Sequence, residues 1–426
     1  MYVFLFGFIV LFVALGVPIA VAFGLISAST IYFFTTYTHT VIAGRMLMGI
    51  DSYVLLAIPL FILAGRLMNE GKITERIFNF ARSIVGWIPG GIAHTNVVAS
   101  VIFAGMSGSA VADAAGLGVV EIKAMEDHKY DKKFACAVTG ASATVGTIIP
   151  PSIPMLLYAM LAEVSIGRLF LGGIVPGLLM AASMMLLISY YAVVRHYPRD
   201  RFVGFINIAK SFGKALPALM TPVIILGGLV SGVFTVTEAA ATAAFYALVV
   251  SLVYGDLDLK KLPEVFIGTA VTTAVVVIIL AGASVVSWLL VRGRVGIIFT
   301  DAIMTVTTNP WVVLLLLNVL LLILGCFLEL GATMILLVPI LRPMLLDLGI
   351  DMVHFGVVMI VNLMIGFISP PFGMSLFVVS EVGEVPVEDI IKDTLPFVVP
   401  LIIVLLTITY VPSLVLAIPR ALMPIP

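Results

Sequence analysis

The sequence predicts an all-α, polytopic membrane protein of two inverted repeats, each with a re-entrant hairpin and a helix broken at a proline pair. Three observations carry this reading: the apolar composition, the placement of basic residues, and a pattern that recurs after about 220 positions. Of 426 residues, 62% are hydrophobic and 11% charged, against roughly a quarter charged in soluble domains. A soluble chain of this length is expected to split into domains. Here the apolar character is continuous, so residues 1–426 read as a single membrane domain. The net charge of −1 offers no case for nucleic acid. Cys136 and Cys326 are isolated and form no CxxC pair. The histidines (His39, His94, His128, His196 and His354) show no metal-ligand spacing. The N-terminus lacks a basic region and an A-x-A cleavage site, so it reads as a first span rather than a signal peptide.

A crossing helix needs about 20 apolar residues. Nine segments read as crossings, some of them short or interrupted: 3–35, 53–68, 135–162, 169–194, 216–232, 236–254, 265–290, 352–380 and 395–418. Two further stretches, 92–120 and 311–341, are interrupted by Gly105-Met106-Ser107-Gly108-Ser109-Ala110 and by Gly325-Cys326-Phe327-Leu328-Glu329-Leu330-Gly331. They read as hairpins that return to the side they entered from. Charge supports this. Loops 69–91, 121–134, 195–215, 255–264 and 381–394 hold 15 of the 22 Lys and Arg residues, including all ten lysines. The opposite side holds Arg45, Arg168, Arg292, Arg294, Arg342 and Arg420, and Arg66 falls near the inner end of the second span. The lysine-rich side is the cytoplasmic one, and a single full crossing by either hairpin would destroy the bias. Two cytoplasmic segments look like amphipathic surface helices. One is Ile73–Ile88, with Ile73, Ile77, Phe80, Ile84 and Ile88 at helical spacing. The other is Phe205–Lys214. Thr235-Val236-Thr237-Glu238 fits a capping box at the outer start of a helix.

The repeat relates 92–176 to 311–396, leaving 177–310 as scaffold-type helices with an amphipathic loop and 397–426 as the final span and C-terminus. Gly105 pairs with Gly325, Gly146 with Gly366, Pro150-Pro151 with Pro370-Pro371, and Pro176 with Pro396. Ser109 corresponds to Glu329, Asp113 to Thr333, and Ser142 to Asn362. The first hairpin opens to the cytoplasm and the second to the outside. Such inversion is typical of secondary transporters, whose sites lie where the halves meet.

The breaks matter because bare backbone polar groups are not tolerated in lipid. A proline pair removes two donors and frees carbonyls one turn earlier. Freed carbonyls beside hydroxyls suit a hard cation such as Na⁺. Helix N-termini at a break or hairpin tip favour an anion. The candidate sodium ligands are Ser107, Ser109, Gly146, Thr147 and Pro150 in the first half. In the second they are Gly325, Glu329, Gly331, Gly366, Ser369 and Pro370. Candidate substrate contacts are Gly108, Asp113, Ser142, Thr144 and Asn362. The same Ser, Thr and Gly residues also serve ordinary helix packing, and Asp113 and Glu329 could each cap a half-helix.

Four stretches carry a family resemblance: Pro59-Leu-Phe-Ile-Leu-Ala-Gly65, Ser107-Gly-Ser-Ala-Val-Ala-Asp113, Ile148-Ile-Pro-Pro-Ser-Ile-Pro154 and Gly232-Val-Phe-Thr-Val-Thr-Glu-Ala-Ala-Ala241. They resemble the large membrane subunit of tripartite ATP-independent periplasmic (TRAP) transporters. Val236 departs from that pattern, where proline is frequent. The resemblance implies a fold of the ion-transporter superfamily and an elevator mechanism in the bacterial inner membrane. It implies uptake of a small carboxylate, such as a C4-dicarboxylate or sialic acid, driven by sodium. It also implies two partners, a small four-helix membrane subunit and a periplasmic substrate-binding protein. No organic cofactor and no enzymatic activity are implied. Rival readings are a stand-alone carrier, a passive channel, and an intramembrane hydrolase using Ser107 or Ser109. No Walker motif points to an ATP-driven pump.

Overall fold

The computed structural model describes residues 7, 8, 11, 12, 15, 17–255, 257–370 and 373–424. Pro371, half of the second proline pair, lies outside the described residues, as does the start of the first expected span. Among the described residues the chain is helical and contains no strand.

The helices follow in order. α1 (Ile19–Phe34) and α2 (Thr40–Ile50) precede α3 (Ala57–Glu70) and the amphipathic α4 (Ile73–Val85). The first hairpin is α5 (Gly91–Ser107) and α6 (110–127), the latter with a π-turn over Asp113–Leu117. The first broken helix is α7 (Lys132–Ser142), extended by a 3₁₀ turn to Thr147, and α8 (Ile153–Ala162). Next come α9 (Ile166–Val194), α10 (Phe205–Val230), α11 (Val236–Tyr254), α12 (Leu262–Arg292) and α13 (Val295–Val306). The second hairpin is α14 (Pro310–Phe327) and α15 (Leu330–Asp347), and the second broken helix is α16 (Met352–Ile368) and α17 (Met374–Gly383). α18 (Val387–Tyr410) and α19 (Ser413–Leu422) complete the chain.

Several boundaries depart from the sequence expectation. The surface helix at Phe205–Lys214 is not separate from the span at 216–232. Both belong to α10, which runs through Pro217 and Pro222. Tyr246 and Tyr254 of α11 steady this stretch by donating to the carbonyls of Pro217 (2.9 Å) and Lys214 (2.7 Å). The last span at 395–418 is divided, because Pro412 forces Val411 out of helical geometry. α2 and α13 have 11 and 12 residues, too short for the span criterion that guided the sequence reading. In α4 the residues Ile73, Ile77 and Phe80 are buried as the periodicity requires, but Ile84 faces outward. The capping box at Thr235 and Glu238 is formed in full.

The repeat is visible in the helix boundaries. Adding 220 carries 110–127 onto Leu330–Asp347, and 91–107 onto 311–327 beside the observed Pro310–Phe327. Both broken helices follow the same shift to within a residue. Even α4 and α13, at 73–85 and 295–306, correspond to within two residues. Between the hairpins lie five crossing elements: the first broken helix, α9, α10, α11 and α12. An odd number of crossings makes the hairpins enter from opposite sides. Lys129→Cys, just past α6, should therefore react with impermeant thiol reagents only from the cytoplasm. Asp347→Cys, at the end of α15, should react only from outside. Labelling of both from one side would contradict the inversion.

The helices form two packed groups. α1, α2 and α3 gather against α12, and α3 also packs along α11, which in turn contacts α10. The second group contains both hairpins, both broken helices, α9, α18 and α19. Its two halves are tied at the lysine-rich face by Lys133–Asp389 (3.0 Å) and Arg195–Asp393 (2.8 Å).

Candidate functional site

Each hairpin tip is built by a cap. Ser109 accepts from the Ala112 amide at 3.4 Å and starts α6. Glu329, its equivalent, accepts from the Ala332 amide at 2.9 Å and starts α15. Gly108 turns the first tip with φ +60°. Its carbonyl accepts from the Ile153 amide at 3.3 Å, so the tip is hydrogen-bonded to the first helix break. That break is held by Ser152, which donates to the Thr147 carbonyl (2.6 Å) and caps α8. In the second half, α14 and α16 cross closely. A Cβ on Gly366 would lie 2.5 Å from the Gly325 carbonyl carbon.

These parts meet around a cavity of ≈ 430 Å³, within the range of small-ligand pockets, roughly 300–1,000 Å³. Ser107, Gly108, Ser109 and Ala110 line it from the first tip, and Glu329 and Leu330 from the second. Thr147, Ile153 and Pro154 come from the first break, and Phe367 and Met374 from the second. The opposite wall belongs to α3 and α12, with Gly65, Arg66, Asn69, Thr272 and Val276. Both tips thus lie level with the middle of the broken helices, which makes the hairpins re-entrant. Four helix N-termini reach this space: those of α6, α15, α8 and α17. Each brings the positive end of a helix dipole, although in α8 the Ile153 and Met155 amides are already spent on Gly108 and Ser152, and Pro154 has no N–H.

This architecture has a counterpart among known proteins. The chain matches the family described as "Tripartite ATP-independent periplasmic transporter, DctM component" over residues 6–414. The chain belongs to that TRAP transporter family. It is 45% identical over 419 residues to the Vibrio cholerae sialic acid TRAP transporter large permease protein SiaM, covering 98% of this chain and 97% of that one. It is 38% identical to the Pseudomonas aeruginosa C4-dicarboxylate TRAP transporter large permease protein DctM, covering 93% of each. The fold is similar to the Alcanivorax borkumensis YdaH transporter at a TM-score of 0.66, with 16% identity, covering 94% of this chain and 97% of that one. This TRAP permease is therefore a large, multi-pass subunit of the inner membrane. It is one component of a multipart transporter and not an enzyme.

In the TRAP permease the residues singled out from sequence fall into three settings. Ser107, Gly108, Ser109, Thr147 and Glu329 line the cavity. Gly325, Gly331, Gly366, Ser369, Gly146, Pro150 and Pro370 stand at the tips, crossings and breaks that shape it. The Ser369 hydroxyl donates to the Ile365 carbonyl at 2.7 Å. Asp113, Ser142, Thr144 and Asn362 are buried behind the wall rather than on it. Ser142 donates to Asn96 (2.7 Å), Asn96 donates to Thr139 (2.7 Å), and Ser100 donates to Ser142 (3.1 Å). Asn362 donates to Asn318 (2.8 Å), which donates to Thr409 (3.0 Å). Each network fastens a hairpin's first arm to a neighbouring broken helix. Thr144 donates to the Ala141 carbonyl at 2.6 Å.

Asp113 lies beside the first of these networks, near Ser100 and Glu121, without a hydrogen bond of ordinary geometry to it. It is 1% exposed, neither carboxylate oxygen has a hydrogen-bond partner, and it rests against Gly146. The Ser107 hydroxyl is likewise buried without a partner. Glu121, which the sequence reading passed over, is equally buried on the same hairpin, 3.5 Å from the Ser100 hydroxyl. Its only sequence signal was a carboxylate one residue beyond an apolar stretch, indistinguishable there from the start of a charged loop.

Proposed function

We propose that this TRAP permease carries a small organic anion together with sodium across the inner membrane. The hairpin group would slide as a block against the α3–α12 group. A periplasmic binding protein delivers the substrate, and a small four-helix membrane subunit braces the stationary group. The observation that supports this best is the convergence of four helix N-termini on one cavity lying between two packed groups. N-termini favour anions, and a site between groups can change its exposure when one group moves. The substrates named for the relatives, sialic acid and C4-dicarboxylates, are organic anions of the size this cavity admits.

Sodium fits the orphaned oxygens. Buried carboxylate and hydroxyl groups without partners are costly, and a hard cation accepts such oxygens. Ser107, Asp113 and the backbone around Gly146 and Thr147 would hold one ion. The second tip and break, with Gly325, Glu329, Gly366 and Ser369, would hold another. Bound cations add to the positive field of the helix N-termini. Sodium and substrate then strengthen each other's binding by the same factor.

The test is uptake into proteoliposomes against sodium concentration, with the binding protein and small subunit present. Ser107→Ala and Ser369→Ala should each raise the sodium concentration for half-maximal uptake, with monodispersity retained. Losing one neutral ligand of several predicts a shift of about three- to tenfold. Unchanged sodium dependence in both would move the ion sites elsewhere. Full uptake by this chain without its partners would establish a stand-alone carrier instead.

A further inference from the structure

We infer that Arg66 is a specificity-determining contact for the substrate anion, supplied by the stationary wall of the cavity. The inference rests on the organic-anion reading above and adds to it a residue that lies outside both hairpin clusters. Arg66 lies on α3 and lines the cavity opposite the hairpin tips. It is the one cationic side chain among the described residues that line the cavity. Its guanidinium donates to the Thr272 hydroxyl at 3.0 Å, and no described carboxylate pairs with it.

The position of the charge is built, not incidental. Thr272 lies one turn beyond Gly268 on α12, and a Cβ at Gly268 would oblige the Arg66 guanidinium to move from this position. The missing side chain makes a berth and the hydroxyl orients the head group. A guanidinium has five donors in a fixed fork, so most of them stay free to face the cavity. The fork matches a carboxylate or sulfonate in a bidentate pair. The helix N-termini come from the hairpin group, whereas Arg66 comes from the opposite wall. An anion between them is therefore clasped by both groups at once. When the block moves, the Arg66 contact is the one that breaks. The residue thereby sets both which anion is held in this state and how readily it leaves.

The experiment is equilibrium binding of labelled sialic acid and of succinate to the purified permease with its small subunit, in sodium, together with uptake. Arg66→Gln should weaken binding of the transported anion about tenfold or more, while Arg66→Lys, which keeps the charge but loses the bidentate fork, should weaken it by a smaller factor. Gly268→Val keeps the charge but fills its berth, and should weaken binding as Arg66→Gln does. The thermal shift produced by sodium alone should persist in all three, whereas the further shift produced by anion should be lost in Arg66→Gln. A purely structural arginine would lower both shifts together, and that result would overturn the inference. So would wild-type anion affinity in Arg66→Gln. If the unaltered protein binds and transports neither anion, nor isethionate or 2,3-diketo-L-gulonate, the anions of other relatives, the organic-anion reading itself fails, and this inference falls with it.

Discussion

Joining Gly65→Cys to Ser107→Cys should stop transport when the pair is oxidised and restore it on reduction. Gly65 is on α3, in the group proposed above to stay still, and Ser107 is at the first hairpin tip. A Cβ built on Gly65 lies 3.7 Å from the Ser107 Cβ, within the Cβ separation of a disulfide, roughly 3.5–4.5 Å. The same Cβ comes 3.2 Å from the Ser107 Cα, so the helices must part by a few tenths of an ångström to admit it. Oxidised and reduced forms of one protein make the comparison internal, which matters because Ser107 is also a candidate sodium ligand. The native Cys136 is buried and Cys326 is only partly accessible, so cross-linking should stay confined to the engineered pair. Uptake at the reduced rate with the bond intact would mean that the hairpin does not move against α3.

Gly108→Ala should reduce uptake about tenfold or more while leaving a folded, monodisperse protein. Two independent effects act at this position. Its φ of +60° is costly for any residue with a side chain, about 1–2 kcal/mol. A Cβ there would also lie 2.6 Å from the Pro151 carbonyl oxygen. The tip would have to lift away from the helix break, giving up the Ile153 amide hydrogen bond and displacing the cavity-lining hydroxyls of Ser107 and Ser109. The damage is confined to a few residues, so global unfolding should change little. The measurement is initial uptake at saturating sodium, alongside thermal unfolding. A wild-type rate would show that the docked tip is not needed for transport.

The features that organise this fold were legible because they interrupt something regular. Gly105 to Ala110 and the proline pairs break long apolar runs, and a break in a membrane helix has few meanings. Their recurrence after 220 residues exposed the repeat, and lysine placement revealed the hairpins. What escaped were contacts between helices distant in sequence. Nothing local to Ser142 announces Asn96 and Ser100, and nothing near Asn362 announces Asn318 and Thr409. Both residues therefore read as substrate contacts, yet they lie inside hydrogen-bonded networks behind the cavity wall. Asp113 read as a group facing substrate, but the π-turn carries it inward against Gly146. Arg66 read as one more basic residue near a membrane face, since only its packing on Gly268 and Thr272 identifies its place. The short α2 and α13 failed a length criterion suited to spans. The continuous α10 shows that prolines in a membrane helix need not end it.

Ser109 and Glu329 occupy the same place in two copies of one backbone, and each caps the helix that follows. The backbone needs only an oxygen there, so the side chain that provides it is free to differ. One copy uses a neutral hydroxyl and the other a carboxylate. If each half holds an ion as proposed above, a heritable change at either position would alter the affinity of one half without disturbing the scaffold or the other half. The doubled architecture would then let natural variation tune the two halves separately, adjusting the strength of the proposed ion coupling in small steps while the backbone keeps its shape.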